Sequence, residues 1–282
     1  MSVSEVYKSL NSEQRRVLLE KQVKMNRPID ETIAFFRPLA ACDKLGDKSR
    51  ARFGCTGGLA IVAIIPLLIM WGNGVYPTPV ALGLIAAAIV VATLLLRRYL
   101  WLDKIDLSNN LRGVVLPILH LFREDVAPDQ PIQLDLDLRS PTDKTKQMSK
   151  SEPYAAGAYY KVIDTFYADP WMTGEALLTD GTRLRWSVTD SIRERKKTKR
   201  NARGKHKTKT RYSKKTSIDV EVAMKSKQYE LGAVEEGTVV EGERRNTVRV
   251  KRRVKMASLD PIHPREIVDL VANVYRGAQP VK

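Results

Sequence analysis

Apolar and polar positions along this chain fall into three regimes, and each predicts a different kind of structure. Up to about Arg52, apolar residues recur at helical spacing among charges. Asn11 or Ser12 can cap a stretch bearing Val17, Leu18 and Val23, and Asp30 another bearing Ile33, Phe36 and Leu39. Between Arg52 and Arg97 come 44 residues without one charged side chain. They form two apolar runs, 53–71 and 80–96, broken by Gly72-Asn73-Gly74-Val75-Tyr76-Pro77-Thr78-Pro79. Each run is close to the ~20 residues that cross a hydrocarbon core about 30 Å thick, so the pattern predicts a transmembrane helical hairpin.

Beyond Arg97 the period changes. Tyr99 and Trp101 suit a membrane interface, and a further helix is expected from near Ser108 through Leu111, Val114, Val115, Ile118, Leu119 and Phe122, ending at Ala127-Pro128. From about residue 131 the alternation is that of strands. Ile132, Leu134, Leu136 and Leu138 share a face; 140–153 reads as a loop, and 159–167 as a strand. Asp180-Gly181 joins two strand runs as a hairpin whose two turn residues both take positive φ. Ile218, Val220, Val222 and Met224 alternate with acids, whereas Val248, Val250, Val254 and Met256 alternate with bases, so ion pairs between those strands would help set their register. Pro264 opens a last helix that Gly277 closes. The expected fold is a membrane α-helical hairpin plus an α+β cytoplasmic part, an antiparallel β-sandwich or open barrel with flanking helices. Its segments are an N-terminal helical part (1–52), the hairpin (53–96), a juxtamembrane helix (97–127), a β-rich domain (128–260) and a C-terminal helix (261–282).

Charge adds orientation. Lys44, Lys48, Arg50 and Arg52 precede the first run, Arg97, Arg98 and Lys104 follow the second, and the connecting loop has none. By the positive-inside rule the protein is a multi-pass protein of the cytoplasmic membrane with both termini cytoplasmic. No short apolar core lies near Met1, so a cleaved signal peptide is not expected. No ionisable residue lies within the runs, which disfavours a proton relay or ion site there. Gly54 and Gly58 form a G-x-x-x-G pair, and Gly83 and Ala87 are small at helical spacing. Such residues hold the two spans together or bring several copies into a homo-oligomer.

Net charge is concentrated. The chain carries +16, of which 193–215 supplies +12 through Arg193, Arg195, Lys196, Lys197, Lys199, Arg200, Arg203, Lys205, Lys207, Lys209, Arg211, Lys214 and Lys215 against Glu194 alone. Flanking strand residues make this a basic hairpin turning at Asn201-Ala202-Arg203-Gly204. Its partners by chemistry are anionic lipid headgroups, which a membrane-tethered segment meets at high effective concentration, an acidic protein, or nucleic acid. Base-stacking aromatics are sparse, with Tyr212 inside the run and Trp186 before it.

Catalytic signatures are absent. There is no P-loop, dinucleotide fingerprint, nucleophile elbow or H-E-x-x-H. His120, His206 and His263 lack ligand spacing, Cys42 and Cys55 form no framework, and no metal or cofactor is expected. Asp135 with Asp137, Glu235-Glu236 and Glu241-Gly242-Glu243 read as wet-face or turn acids. The sequence therefore predicts a non-enzymatic, membrane-anchored binding or scaffold protein whose basic hairpin engages an anionic surface. The alternatives are a subunit of an oligomeric membrane complex or pore, and nucleic-acid tethering at the membrane.

Overall fold

The computed structural model describes residues 2–201, 203–232 and 237–281, and the chain divides into two compact units. Met1–Glu20 with Pro38–Asp106 form the first; Lys21–Arg37 with Leu107–Lys282 form the second.

The first unit is helical. Helix α1 (Val3–Ser9) starts with a reciprocal cap, Ser2 Oγ accepting from the Glu5 amide while Glu5 accepts from the Ser2 amide. Helix α2 (Ser12–Glu20) repeats the device with Asn11 and Gln14, at 2.8 and 3.0 Å. Helices α3 (Ile29–Gly72), which belongs to this unit from Pro38 on, and α4 (Thr78–Lys104) are each long and apolar enough to cross a membrane. Of their most apolar windows, 0% and 6% respectively is buried within the chain, so neither resembles the core helix of a soluble domain. Helix α3 runs on through Pro38 and Pro66.

Small residues let these two helices meet. A Cβ on Gly54 would lie 3.5 Å from the Tyr99 ring, and one on Gly57 would lie 3.8 Å from Leu95 Cβ. The hairpin seam is therefore Gly54 with Gly57. Gly58 and Gly83 face no neighbour within 4 Å, and Ala87 is exposed. At the charged end Arg50 spans both helices, reaching Asp47 (3.1 Å), Asp103 (3.3 Å) and Asp106 (2.7 Å). Helix α1 docks nearby: Tyr7 packs edge-on against Trp101 with centroids 5.3 Å apart, and Arg98 lies over the same indole while donating to Ser4 Oγ.

The second unit is an open antiparallel sheet with helices on one face. Its strands are β1 (Gln22–Pro28), β2 (Pro131–Asp137), β3 (Gln147–Lys150), β4 (Tyr154–Ala156), β5 (Tyr159–Leu177), β6 (Arg183–Arg200), β7 (His206–Lys225), β8 (Tyr229–Leu231), β9 (Gly237–Val240), β10 (Arg245–Met256) and β11 (Ala278–Pro280). The order is β1-β2-β5-β6-β7-β10-β9, with β3 and β4 also paired to β5, and β8 with β11 in a small separate ladder. A π-helical turn (Leu111–Val115) runs into α5 (Leu116–Phe122), and α6 (Arg265–Gly277) follows the last long strand.

Alternation decides which face is covered. Val23, Met25, Leu134, Leu136, Leu184, Trp186, Val188, Val220, Val222, Val248 and Val250 all point inward and are buried. Val114, Ile118, Leu119 and Phe122 form the apolar stripe of the α5 layer, with Phe122 and Trp186 centroids 5.3 Å apart. Helix α6 buries Ile267, Leu270, Val271 and Val274 and is fixed to β10 by Arg252 with Glu266 (3.1 Å).

Several expectations change. The sheet is open, as one of the two expected forms has it, but helices and not a second sheet supply the layer over its apolar face. Val23 lies in an edge strand, not a helix, since Gln22–Pro28 pairs in full register with β2. The region expected to be a loop contains β3, paired to β5. Strand β5 runs unbroken across Pro170 because a bulge there, between Pro170 and Met172, absorbs the residue that cannot donate to the ladder. At Asp180-Gly181 only Gly181 has positive φ (+79°). Leu178 N–H bonds Thr182 O and Gly181 N–H bonds Leu178 O, giving a three-residue loop ending in a left-handed glycine.

Trp186 fills the core over Gly174, its partner on β5: a Cβ at position 174 would overlap the indole. Gly174→Ala should lower the unfolding free energy by about 1–3 kcal/mol through overpacking. Chemical denaturation of the full chain measures this, and an unchanged midpoint would show that the indole can move aside.

Candidate functional site

The candidate site follows from where the strands stop. Strand β10 ends with Met256 opposite Lys214, whereas β5, β6 and β7 continue, so 193–213 projects past β10 as an arm. Its turn matches the Asp180-Gly181 loop: Asn201 N–H donates to Lys205 O (3.0 Å), Gly204 N–H donates to Asn201 O (2.9 Å), and Gly204 takes φ +75°. Ala202, in the expected turn, lies outside the described residues, as do Glu235 and Glu236.

Register sorts the arm's charges. Arg195 stands opposite Arg211, Lys197 opposite Lys209 and Lys199 opposite Lys207, and these six share one face with Arg193. The other face carries Glu194, Lys196, Thr198, Thr208, Thr210 and Tyr212. There Glu194 accepts from Tyr167 (3.1 Å) and Tyr212 (3.3 Å) and pairs with Lys196 (3.2 Å), while Thr198 and Thr208 bond each other. Burial and the Glu194 bond push the Tyr167 phenol up to about 12.

Three consecutive like-charge rungs are unfavourable in themselves. Only the root of the cationic face is compensated. Asp164, 4% exposed on β5, accepts from Arg193 (2.6 Å), Arg195 (2.7 Å) and the Tyr154 hydroxyl (2.7 Å), and that last bond keeps Tyr154 protonated above its ordinary range. Among the described residues, Lys197, Lys199, Lys207, Lys209 and Arg211 have no carboxylate partner. Lys197 instead lies over the Tyr159 ring at 5.3 Å.

The middle of the same sheet face behaves oppositely. There a concave region of about 890 Å³ is lined by charges that are paired across strands: Lys24 with Asp135 (2.8 Å), Arg183 and Arg185 with Glu175, Arg249 with Glu221 (2.9 Å), and Lys251 with Asp219 (2.8 Å). The acidic and basic rows of β7 and β10 thus neutralise each other, Asp219 opposite Lys251 and Glu221 opposite Arg249. Asp135 is a sheet-surface ion pair with Lys24, whereas Asp137 is largely covered and is taken by Arg139 (2.5 Å) and buried Lys146 (3.3 Å).

Not all thirteen basic residues reach the cationic face. Lys214 is 1% exposed and points inward, bonded to Asp260 O and 3.6 Å from Asp190, so its place in an anionic-surface site is corrected. Lys196 faces the threonine side, Arg200 bonds Gly204 O, and Arg203 and Lys205 lie at the turn. Lys215 sits at the root opposite Ser191. His206 is tied to Tyr160 (2.8 Å), and His263 Nδ1 accepts from the Arg265 amide.

Two clusters lie outside the expectations drawn from the sequence. In the helical unit, carboxylate oxygens of Asp43, Asp47 and Asp106 lie within 4.8 Å of one another, beside the Arg50 guanidinium, and burial raises the Asp106 pKa. In the sheet unit, Asp169 stands opposite Asp190 next to the β5 bulge. Buried Lys146 bridges Asp169 (2.7 Å) and Asp137, and Thr216 donates to Asp190. The alternation of β7 carries a signal for this cluster, since stepping back by twos from Ile218 places Thr216 and Lys214 inside. No such signal marks Lys146, which lies outside any long periodic run.

Compared with known proteins, the chain matches no family model, no curated protein and no solved structure.

Burial pushes the Asp169 carboxyl from its ordinary 3.8 to about 6, Asp190 and Asp137 adding to the rise against Lys146. The folded state therefore holds this proton more tightly than the unfolded chain. Its contribution to stability is full below about pH 4 and is lost as pH rises through about 6. Denaturant unfolding at pH 5 and pH 7 should show a smaller loss of stability in Asp169→Asn than in the wild type; equal losses would remove Asp169 as the titrating group.

Proposed function

We propose that this chain is a two-span protein of the cytoplasmic membrane, both termini inside, that binds an anionic lipid surface through the cationic face of its β-arm, as a binding or scaffold protein and not an enzyme. The observation carrying this reading is the contrast along one sheet face. Basic residues at its centre are matched by acids, while the rungs Lys197–Lys209 and Lys199–Lys207 at its tip meet no acid among the described residues. An uncompensated ladder weakens its own hairpin, and a surface that contributes about 1 kcal/mol per nearby basic side chain offsets this. The uncharged, unburied helices and their basic flanks support attachment to the membrane and its orientation.

The aromatic residues favour lipid over nucleic acid. Trp186 is buried over Gly174, and Tyr212 is bonded to Glu194 on the opposite face, so neither residue is placed to stack a base beside the lysines. A second reading, self-association in the membrane, rests on Gly58, Gly83 and Ala87, which the hairpin itself leaves uncovered. A single-chain mass for the full-length protein in detergent would remove it.

The lipid reading predicts protection of the arm. In full-length protein reconstituted into vesicles, trypsin should cut within 197–209 several-fold more slowly when the outer leaflet carries anionic lipid than when it is neutral. The difference should vanish as salt rises from ~0.1 M toward ~1 M, where the screening length falls from about 10 to 3 Å. Equal cleavage in the two vesicles at low salt would overturn the reading.

A further inference from the structure

We propose that the tip of the arm is a site for one lipid headgroup carrying two or more phosphomonoesters, an inference that rests on the lipid reading above and names its ligand class. Lys197, Lys199, Lys207 and Lys209 are two successive rungs of one hairpin face. Strand geometry places facing residues ~5 Å apart and successive same-face residues ~7 Å apart, so the four lysine stems rise from a backbone patch of roughly 5 by 7 Å. The stems can converge further, because among the described residues no carboxylate holds any of the four.

Neutralising that patch requires about four negative charges within one headgroup's footprint. A phosphodiester lipid brings one, and its neighbours in the leaflet lie beyond the patch. A phosphomonoester carries about −1.5 to −2 at pH 7, so two on one headgroup bring −3 to −4. The root of the face bounds the site: Arg193 and Arg195 are already fixed by Asp164 and Tyr154. Arg211, opposite Arg195 and without an acid of its own among the described residues, supplies one further donor at the same edge.

A nucleic-acid strand distributes its charge differently, about one phosphodiester per 3.4 Å of rise along a line. The patch is compact, and the tyrosines beside it are engaged, Tyr159 beneath Lys197 and Tyr160 with His206. Relief of like-charge repulsion on binding also makes a thermal signature: a ligand that spans both rungs should raise the melting temperature above that of the unliganded protein.

The test uses the full chain in non-ionic detergent, titrated by calorimetry with mixed micelles of short-chain phosphatidylinositol bisphosphate or of short-chain phosphatidylserine, matched for total charge. The bisphosphate should bind about tenfold or more tightly, and Lys199→Gln with Lys207→Gln should remove that preference while phosphatidylserine binding falls little. The same variant should melt no lower than the wild type, which checks its folding. Equal affinity for the two lipids, with salt-sensitive binding to both, overturns the headgroup assignment and leaves the lipid reading standing. Binding to neither overturns both. Tighter binding of a charge-matched single-stranded oligonucleotide overturns both in favour of nucleic acid.

Discussion

The register between β6 and β7 is the constraint on which the rest of the sheet unit depends. Leu184 pairs with Val222, Trp186 with Val220 and Val188 with Ile218, all inward. A slip of one residue in either strand would send that strand's three to water and its cations in the arm toward the helices. Core packing therefore sets, some ten residues away, which side of the arm is cationic. The same ladder runs without a break from Arg183 opposite Ala223 to Arg200 opposite His206, so the charged tip is a direct continuation of the apolar centre.

Both faces change character along the strands, the inner one at Asp190 and the outer one further out, past the Arg193 and Arg195 pairs with Asp164. On the inner face, apolar residues give way after Val188 and Ile218 to the buried polar cluster of Asp190, Thr216, Lys214, Asp169 and Lys146. On the outer face, paired charges give way to unpaired ones. Removing charges from water is tolerated in the cluster only because acids and bases meet there, and even so Asp169 keeps a raised pKa. At the two outer rungs of the arm no such matching exists among the described residues, and solvent screens the repulsion instead.

Much of this was legible in the sequence because it is local. The uncharged stretch gives α3 and α4, the 3.6-residue period gives α5 and α6, and the +12 segment with its Asn-Gly spaced turn gives the arm. The opposite charge rows of β7 and β10 likewise announced their pairing. What stayed hidden depends on long-range partners. The strand Gln22–Pro28 shows only two inward residues, Val23 and Met25, and becomes a strand through β2, more than a hundred residues later. The strand expected over 159–167 runs on to Leu177 because the bulge beside Pro170 absorbs the missing donor. Lys146 and Asp169 acquire their meaning from each other, 23 positions apart and bridged by tertiary structure alone. Gly58 was grouped with Gly54 by spacing, whereas the hairpin uses Gly54 with Gly57.

The central claim is that the arm keeps its like-charge ladder for an anionic ligand and not for its own stability. Replacing Lys207, Lys209 and Arg211 together by Glu turns all three rungs into opposite-charge pairs without touching the core register. Thermal melting of the full chain at low salt, with and without anionic lipid micelles, measures both sides of the claim. The account predicts a variant that melts higher than the wild type alone and gains nothing from anionic lipid, while the wild type is stabilised by it. A variant that melts lower, or one that is still stabilised by anionic lipid as the wild type is, would contradict it.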